Sequence, residues 1–207
     1  WLGPRPKLPY HTAYHPFKWR GYWGFGTGAV GDMGCHNSDL AYWALNLRDP
    51  ETLEAVSSGV NSEPAPKWSI ITYHFPKLGK RKAVKVTWYD GGKKPDPALA
   101  RQKELPGNGS ILIGSKDSLY IPMYWGKGTF LSGATVADHK DVPETIEKPA
   151  DFNRHHYLEW IDACKGGKPA WSNVDYAGPM TEAMLLGLVA LRSGKKIEWD
   201  AKKMRVK

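Results

Sequence analysis

The sequence of residues 26–39 is Gly26-Thr27-Gly28-Ala29-Val30-Gly31-Asp32-Met33-Gly34-Cys35-His36-Asn37-Ser38-Asp39. In this stretch, closely spaced glycines lead into carboxylates and an imidazole. The glycines match a phosphate-binding pattern, whereas the carboxylates and the imidazole have the spacing of one helix face. Because the two interpretations require different folds, the residues on either side decide between them.

The first interpretation is a dinucleotide-binding fingerprint, because Gly26, Gly28 and Gly31 satisfy the pattern G-x-G-x-x-G. That fingerprint needs a buried β-strand directly before it and an alternation of strands and helices after it. Residues 19–25 instead contain arginine and glycine where a Val/Ile run belongs. The context therefore argues against dinucleotide binding by these glycines.

The second interpretation is a general acid/base pair formed by Asp32 and His36. These residues are four positions apart and Asp39 follows three later, so all three project from one helix face. A carboxylate beside an imidazole stabilises its protonated form and orients it, while glycines at the helix start would let substrate and cofactor approach. The same spacing also fits structural roles, in which Asp32 caps the helix and His36 lies in the core. Spacing alone does not separate the acid/base pair from these structural roles.

A helix over residues 31–47 carries this pair. Its apolar positions recur three and four apart, and Asp49 and Pro50 are expected to end it. The predicted stripe of this amphipathic helix consists of Met33, His36, Leu40, Trp43, Ala44 and Leu47.

The rest of the chain is predicted as a series of strands followed by two helices. The strands are Leu53–Val60, Trp68–Phe75, Ala83–Tyr89, Ser110–Ile113, Ser118–Ile121 and Ile197–Trp199. The helices are Asn153–Lys165, with an apolar stripe at Tyr157, Trp160, Ile161 and Cys164, and Pro179–Ser193. The strand spacings are too short for crossover helices, so we expect mainly antiparallel pairing and an α/β fold of the α+β type.

Residues 1–25 are rich in proline and aromatic residues and predict an extended arm that lies over another surface. Aromatic rings beside an arginine suit stacking on sugar faces as well as ordinary packing. The candidate substrate-wall residues are Tyr10, Trp19, Arg20, Tyr22 and Trp23.

The composition favours one folded domain over residues 1–207, with 41% hydrophobic and 24% charged residues. The net charge of +8 comes mostly from scattered basic residues, so we do not expect a nucleic-acid partner. No apolar run reaches about 18 residues, which argues against a membrane span. Cys35 and Cys164 lack metal-ligand spacing, and we expect neither a disulfide framework nor a metal site.

Both ends of the chain resemble the second domain of the Gfo/Idh/MocA family, which is named for glucose-fructose oxidoreductase, inositol dehydrogenase and a rhizopine-catabolism protein. The resemblance is carried by Trp19-Arg20-Gly21-Tyr22-Trp23, by Gly26 to His36 with Asp39, by His156-Tyr157-Leu158-Glu159-Trp160, by Lys168-Pro169 to Ser172-Asn173, by Glu182-Ala183 with Leu185-Leu186-Gly187, and by Ile197-Glu198-Trp199-Asp200. It implies a large, mainly antiparallel sheet with helices packed on one face. It also implies a homodimer or homotetramer formed through the open sheet face.

The same resemblance assigns the family's helix Asp and His to Asp32 and His36. It implies proton transfer by His36 with the substrate hydroxyl or carbonyl while NAD or NADP exchanges hydride. A first-domain lysine in a Glu-Lys-Pro motif normally completes the site; Glu147-Lys148-Pro149 lies in a late loop, and we interpret it as coincidence. Gly24 stands where relatives often carry an acidic residue, which leaves substrate contact there in doubt.

These observations predict the C-terminal, substrate-binding domain of an oxidoreductase for a sugar, sugar derivative or cyclitol, from the bacterial cytoplasm or periplasm. No nucleotide-binding fold precedes Trp1, so we expect a fragment or processed product that binds cofactor poorly and is inactive alone. Two alternatives keep the fold: an NAD-dependent glycosidase or lyase, and a non-catalytic carbohydrate-binding or oligomerisation module.

Overall fold

The computed structural model describes residues 2–3, 5–100, 104–123, 128–139, 141–143, 145–146 and 151–207. Its elements comprise three α-helices, eight strands and three short 3₁₀ helices within these ranges. The α-helices are α1 (Gly28–Leu45), α2 (Phe152–Cys164) and α3 (Val174–Ser193). The strands are β1 (Thr52–Ser57), β2 (Ser69–Phe75), β3 (Val84–Tyr89), β4 (Ser110–Ile113), β5 (Ser118–Ile121), β6 (Thr129–Phe130), β7 (Ile197–Asp200) and β8 (Arg205–Val206). The 3₁₀ helices are Lys18–Gly21, Pro97–Ala100 and Val136–His139.

The strands form two antiparallel sheets in the described part of the chain. One has five strands in the order β3-β2-β1-β7-β8, and the other has three in the order β4-β5-β6. The predicted α/β class with mainly antiparallel strands is confirmed. The strands predicted as one large sheet divide, however, because β4 pairs only with β5 and lies against α1, where the Ser110 hydroxyl donates to the Asn37 carbonyl.

The core lies between one face of the five-stranded sheet and α3. Along β2, the alternate residues Ser69, Ile71, Tyr73 and Phe75 are buried, as the period of two in a strand requires. Helix α3 covers this face with Met180, Ala183, Met184, Leu186, Leu188, Ala190 and Leu191. It approaches closely at Gly187, where a Cβ would collide with the Tyr73 hydroxyl.

The opposite face of the same sheet has no helix packed on it in the described residues. It carries a mixed surface of Glu54, Val56, Thr72 and His74, with the His74 Nε2 atom 3.8 Å from Glu54 Oε1. Assembly of a dimer or tetramer through this face remains a prediction.

Helix α1 buries a different face from the one predicted. Its buried residues are Gly28, Val30, Gly34, Ser38 and Tyr42, whereas Leu40 and Trp43 of the predicted stripe are 47% and 36% exposed. The reason is close helix packing: a Cβ at Gly34 would lie only 3.1 Å from Met184 Sδ of α3. The helix also ends earlier than predicted, at Leu45, because Asn46 adopts a left-handed conformation.

Helices α2 and α3 differ from their predictions in other ways. The α3 helix begins five residues before Pro179, because Asn173 Oδ1 accepts a hydrogen bond from the Asp175 amide at 2.9 Å and caps it. The predicted apolar stripe of α2 is on the surface: Tyr157 and Trp160 are more than 60% exposed, and Cys164 is exposed as well. The periodicity of α2 is therefore not that of a core helix in this chain.

The N-terminal arm is less extended than predicted. Residues 12–17 form turns and lead into the 3₁₀ helix Lys18–Gly21. The arm is held against residues 61–65, because Arg5 pairs with the Glu63 carboxylate at 2.6 Å and the Trp23 amide donates to the Glu63 carbonyl at 2.9 Å. These contacts fix the segment that leads into α1.

Two kinds of feature are absent from the described residues. They contain no helix that is long and apolar enough to cross a membrane. Nor do they contain a group of three or more His, Cys, Asp or Glu side chains placed to bind a metal ion.

Candidate functional site

The glycines at the start of α1 lie in close contact with other atoms of the chain. A Cβ at Gly26 would lie 2.7 Å from the Arg20 carbonyl oxygen, and a Cβ at Gly31 would collide with the Thr27 hydroxyl. Gly28 has a positive φ of 66°, which side-chain-bearing residues rarely adopt. The expectation that these glycines clear space for substrate and cofactor is therefore wrong for Gly26 and Gly31, whose open sides are filled by this chain.

The segment before α1 also excludes the dinucleotide fingerprint. A buried strand should directly precede those glycines, but the structure has the 3₁₀ helix Lys18–Gly21, an isolated bridge at Tyr22 and a turn over residues 23–25. Residues 26–31 consequently lack the strand–turn–helix geometry that holds a pyrophosphate.

Asp32 is held by an arginine from the arm. Arg20 Nε donates to Asp32 Oδ1 at 3.2 Å, and Arg20 Nη1 donates to the Phe17 carbonyl at 2.9 Å. The guanidinium lies over the rings of Phe17 and Trp19, at 4.4 and 4.6 Å from their centroids. Ion pairing and cation–π contact together fix the guanidinium beside the carboxylate.

Sequence reasoning missed this ion pair because it treated Arg20 only as part of the substrate wall. The two residues are 12 positions apart, and the helix periodicity that links Asp32 to His36 carries no information about such a contact. Only the nearness of a basic and an acidic residue across a glycine-rich turn could have indicated it.

His36 lies one helical turn after Asp32 on the exposed face of α1. It is therefore not a core histidine. Asp32 is not a helix cap, because α1 begins at Gly28 and its N-cap position is Thr27. Both alternative explanations of the Asp32/His36 spacing are thus excluded, and the assignment of the two residues as a proton-transfer pair remains a prediction.

Asp39 takes part in the contact between α1 and α3. The Tyr176 hydroxyl donates to Asp39 Oδ1 at 2.6 Å and to the Asp39 carbonyl at 2.9 Å. Next to it, the Trp43 ring packs on Trp171 and Tyr176, with centroids 4.9 and 5.0 Å away. Asp39 is a predicted substrate contact, but its Oδ1 atom already accepts a hydrogen bond from Tyr176 within the chain.

The Tyr176 contact predicts loss of stability in alkali. Burial, and then the hydrogen bond to Asp39, raise the pKa of Tyr176 well above its usual value. The pKa of Tyr176 is higher in the folded chain than in the unfolded chain. Its contribution to the free energy of unfolding is therefore complete below about pH 10 and is lost as the pH rises through the folded pKa. We expect Tyr176→Phe to lower the free energy of unfolding at pH 8 by about 1 kcal/mol. Above pH 10, the free energy of unfolding should fall less steeply with pH in this variant than in the wild type.

The measurement is urea unfolding at pH 8, 10 and 11, with Tyr157→Phe as the control because Tyr157 is 62% exposed. Parallel pH profiles for the wild type and Tyr176→Phe would contradict the expectation.

The remaining predicted wall residues are not brought together at Asp32. Trp23 packs against the core, where its Nε1 donates to the Asn61 carbonyl at 3.0 Å. Tyr22 packs edge-on against Tyr14 at 4.9 Å, and Tyr10 is 72% exposed. Of the five, the structure places Arg20 at the carboxylate, with the Trp19 ring against the guanidinium.

A groove of about 550 Å³ lies elsewhere, along the outer side of α3. It is lined mainly by apolar residues such as Val174, Leu185 and Met204. Its carboxylate, Glu182, accepts a hydrogen bond from Trp199 Nε1 at 2.9 Å. The groove therefore lacks the converging polar groups of a catalytic site, and the α1 face is the better candidate.

One of the two sequence comparisons finds a match, over the first 85 residues of the chain. Residues 1–85 match the family model GFO_IDH_MocA_C2, described as an oxidoreductase family, C-terminal alpha/beta domain. This match confirms the resemblance for the arm, α1, β1 and β2. The comparison with curated proteins finds no match.

Two solved structures are similar to the chain. An oxidoreductase from Thermotoga maritima is 15% identical with a TM-score of 0.48, and the match covers 91% of this chain and 49% of that one. A proposed dehydrogenase from Bordetella bronchiseptica RB50 is 13% identical with a TM-score of 0.39, and the match covers 85% of this chain and 56% of that one. The chain thus spans about half the length of each structure.

Proposed function

We propose that this chain is the substrate-binding half of an NAD(P)-dependent oxidoreductase acting on a sugar, a sugar derivative or a cyclitol. One observation carries the proposal. The stretch that matches the oxidoreductase family includes α1, and α1 presents Asp32 and His36 on a face that solvent reaches. A substrate could approach both side chains without displacing the core.

In this proposal His36 moves the proton. Oxidation of an alcohol to a carbonyl removes the hydroxyl proton as well as a hydride, and an imidazole is suited to accept that proton near neutral pH. Asp32 lies one turn earlier on the same face of α1. Arg20 holds the Asp32 carboxylate in place, so the charge is fixed before the substrate arrives.

The glycine-rich stretch of residues 26–31 does not form the cofactor site in this proposal. The space beside Gly26 and Gly31 is filled by the chain's own atoms, and no strand precedes these glycines in the described residues. We therefore assign NAD or NADP to a nucleotide-binding domain that faces α1, in the same polypeptide or in a partner. When bound there, the nicotinamide would accept the hydride.

The test is polyol-dependent reduction of NAD⁺ or NADP⁺ by the protein together with its nucleotide-binding domain, followed by absorbance of the reduced nicotinamide. We expect reduction with at least one sugar or cyclitol. Cleavage of a glycoside without net reduction would instead indicate a lyase or hydrolase of the same fold. Tight sugar binding with no reaction would indicate a binding module.

A further inference from the structure

The ion pair between Arg20 and Asp32 leaves one donor of the guanidinium and one acceptor of the carboxylate open. Arg20 uses Nε for Asp32 and Nη1 for the Phe17 carbonyl. Among the described residues, neither Arg20 Nη2 nor Asp32 Oδ2 has a hydrogen-bond partner. Solvent reaches both side chains, which are 31% and 40% exposed. A ligand can therefore approach both side chains.

The open donor and acceptor are held in place. The rings of Phe17 and Trp19 lie against the guanidinium, and the Phe17 carbonyl fixes its orientation. Asp32 stands on the second turn of an 18-residue helix, which is a rigid support. Little side-chain entropy remains to be lost when a ligand binds, and this favours affinity.

We infer that this pair is a clamp for two adjacent hydroxyl groups of the substrate, an inference that rests on the proposed function. One hydroxyl donates its proton to Asp32 Oδ2, and the neighbouring hydroxyl oxygen accepts a hydrogen bond from Arg20 Nη2. A vicinal diol supplies a donor and an acceptor on one ring, whereas a mono-alcohol can satisfy only one of the two open atoms.

The charge of the clamp selects against an anion. The Arg20 and Asp32 charges cancel locally, and the carboxylate repels a second carboxylate brought to the same place. The substrate portion held here is thus a neutral diol. Although the chain has a net charge of +8, an acidic group of the substrate would have to be bound elsewhere.

The clamp also assigns the residues different roles. Asp32 and Arg20 hold hydroxyls next to the reacting carbon, and His36, on the following turn of the same face, is left to move the proton. Specificity for a diol and proton transfer are then separable properties of one helix face.

The test uses three probes that share one ring: cis-1,2-cyclohexanediol, cyclohexanol and cyclohexanecarboxylate. Each is titrated into the 207-residue chain, and the NMR shifts of the Trp19 indole and the Arg20 Nε proton are followed. The diol makes one hydrogen bond more than the mono-alcohol, and because that bond is made to a charged group and is worth about 1.5 kcal/mol, we expect the diol to bind about tenfold more tightly. The carboxylate should bind more weakly than the diol.

Two variants locate the effect. Asp32→Asn keeps the shape of the side chain, and Arg20→Lys keeps the charge but loses Nη2; in each, the preference for diol over mono-alcohol should fall to less than threefold. His155→Ala, on α2, should keep the preference. Equal binding of diol and mono-alcohol by the wild type, tighter binding of the carboxylate, or an unchanged preference in Asp32→Asn would each overturn the clamp.

The experiments distinguish failure of the clamp from failure of the proposed function. Diol preference without reduction of NAD⁺ or NADP⁺ would leave the clamp standing and reject the oxidoreductase. Equal reduction with mono-alcohols and diols would support the oxidoreductase and reject the clamp.

Discussion

His36→Ala is expected to lower kcat of the proposed reaction by about 10² to 10⁴, the usual contribution of a positioned general acid or base. The substrate should still bind, because Asp32 and Arg20 are unchanged and hold each other at 3.2 Å. The measurement is steady-state kinetics of the protein with its nucleotide-binding domain, together with direct substrate binding. A large loss in kcat with an unchanged Kd is the expected pattern.

His155→Ala is the matched control for this substitution. His155 is also a histidine on a helix, with a side chain that is 41% exposed and lies 3.9 Å from Glu159 in an i,i+4 pair, but it belongs to α2 rather than to the α1 face. Its removal should leave kcat within a factor of two. Added imidazole should partly restore His36→Ala and should not affect the control. Equal rates for His36→Ala and the wild type would remove His36 from the chemistry.

Gly187→Ala is expected to destabilise the fold by about 1–3 kcal/mol, the range for overpacking a filled core. The added methyl group would collide with the hydroxyl of Tyr73, which is fully buried in the middle of β2. Alanine has the higher intrinsic helix propensity, so a loss of stability would arise from the tertiary contact. The measurement is chemical denaturation followed by circular dichroism.

Two further variants complete this test. Val189→Ala lies on the same helix, where Val189 is 44% exposed, and it should change stability by no more than about 0.5 kcal/mol. Tyr73→Phe combined with Gly187→Ala should recover part of the loss, because the colliding oxygen is gone. If Gly187→Ala were as stable as the wild type, α3 would not pack on β2 as closely as the structure has it.

Strands were easier to predict than their pairing. Ser110–Ile113 and Ser118–Ile121 are observed with the predicted bounds, since short β-branched runs between turn residues are a local signal. Which sheet they join depends on contacts far apart in the chain, such as that of Ser110 with Asn37. The division into two sheets therefore could not be inferred from local pattern.

The buried face of α1 was mispredicted for a physical reason. Counting apolar side chains pointed to Leu40 and Trp43, but the face that packs on α3 contains Gly34 and Ser38, because small side chains let two helices approach. The burial of this small-residue face has a consequence for the site. With Gly34 and Ser38 turned inward, Asp32 and His36 are left on the open side of the helix.

The site itself was only partly predictable. Residues four apart on a helix share a face, so Asp32 and His36 could be paired from spacing alone. The arginine that holds Asp32 comes from a 3₁₀ helix in the arm, and its orientation depends on the Phe17 carbonyl and two rings. Such a contact requires three-dimensional coordinates, because no periodicity connects the arm to α1.

The most direct measurement of the central claim follows the hydrogen on the reacting carbon. A sugar or cyclitol deuterated at the carbon bearing the reacting hydroxyl is incubated with NAD⁺ or NADP⁺, the protein and its nucleotide-binding domain, and the deuterium is located by mass spectrometry. Hydride transfer from the substrate to the nicotinamide would put one deuterium on the reduced nicotinamide, and we expect it to form far more slowly with His36→Ala. Deuterium that stays in the sugar, with no reduced nicotinamide formed, would contradict it.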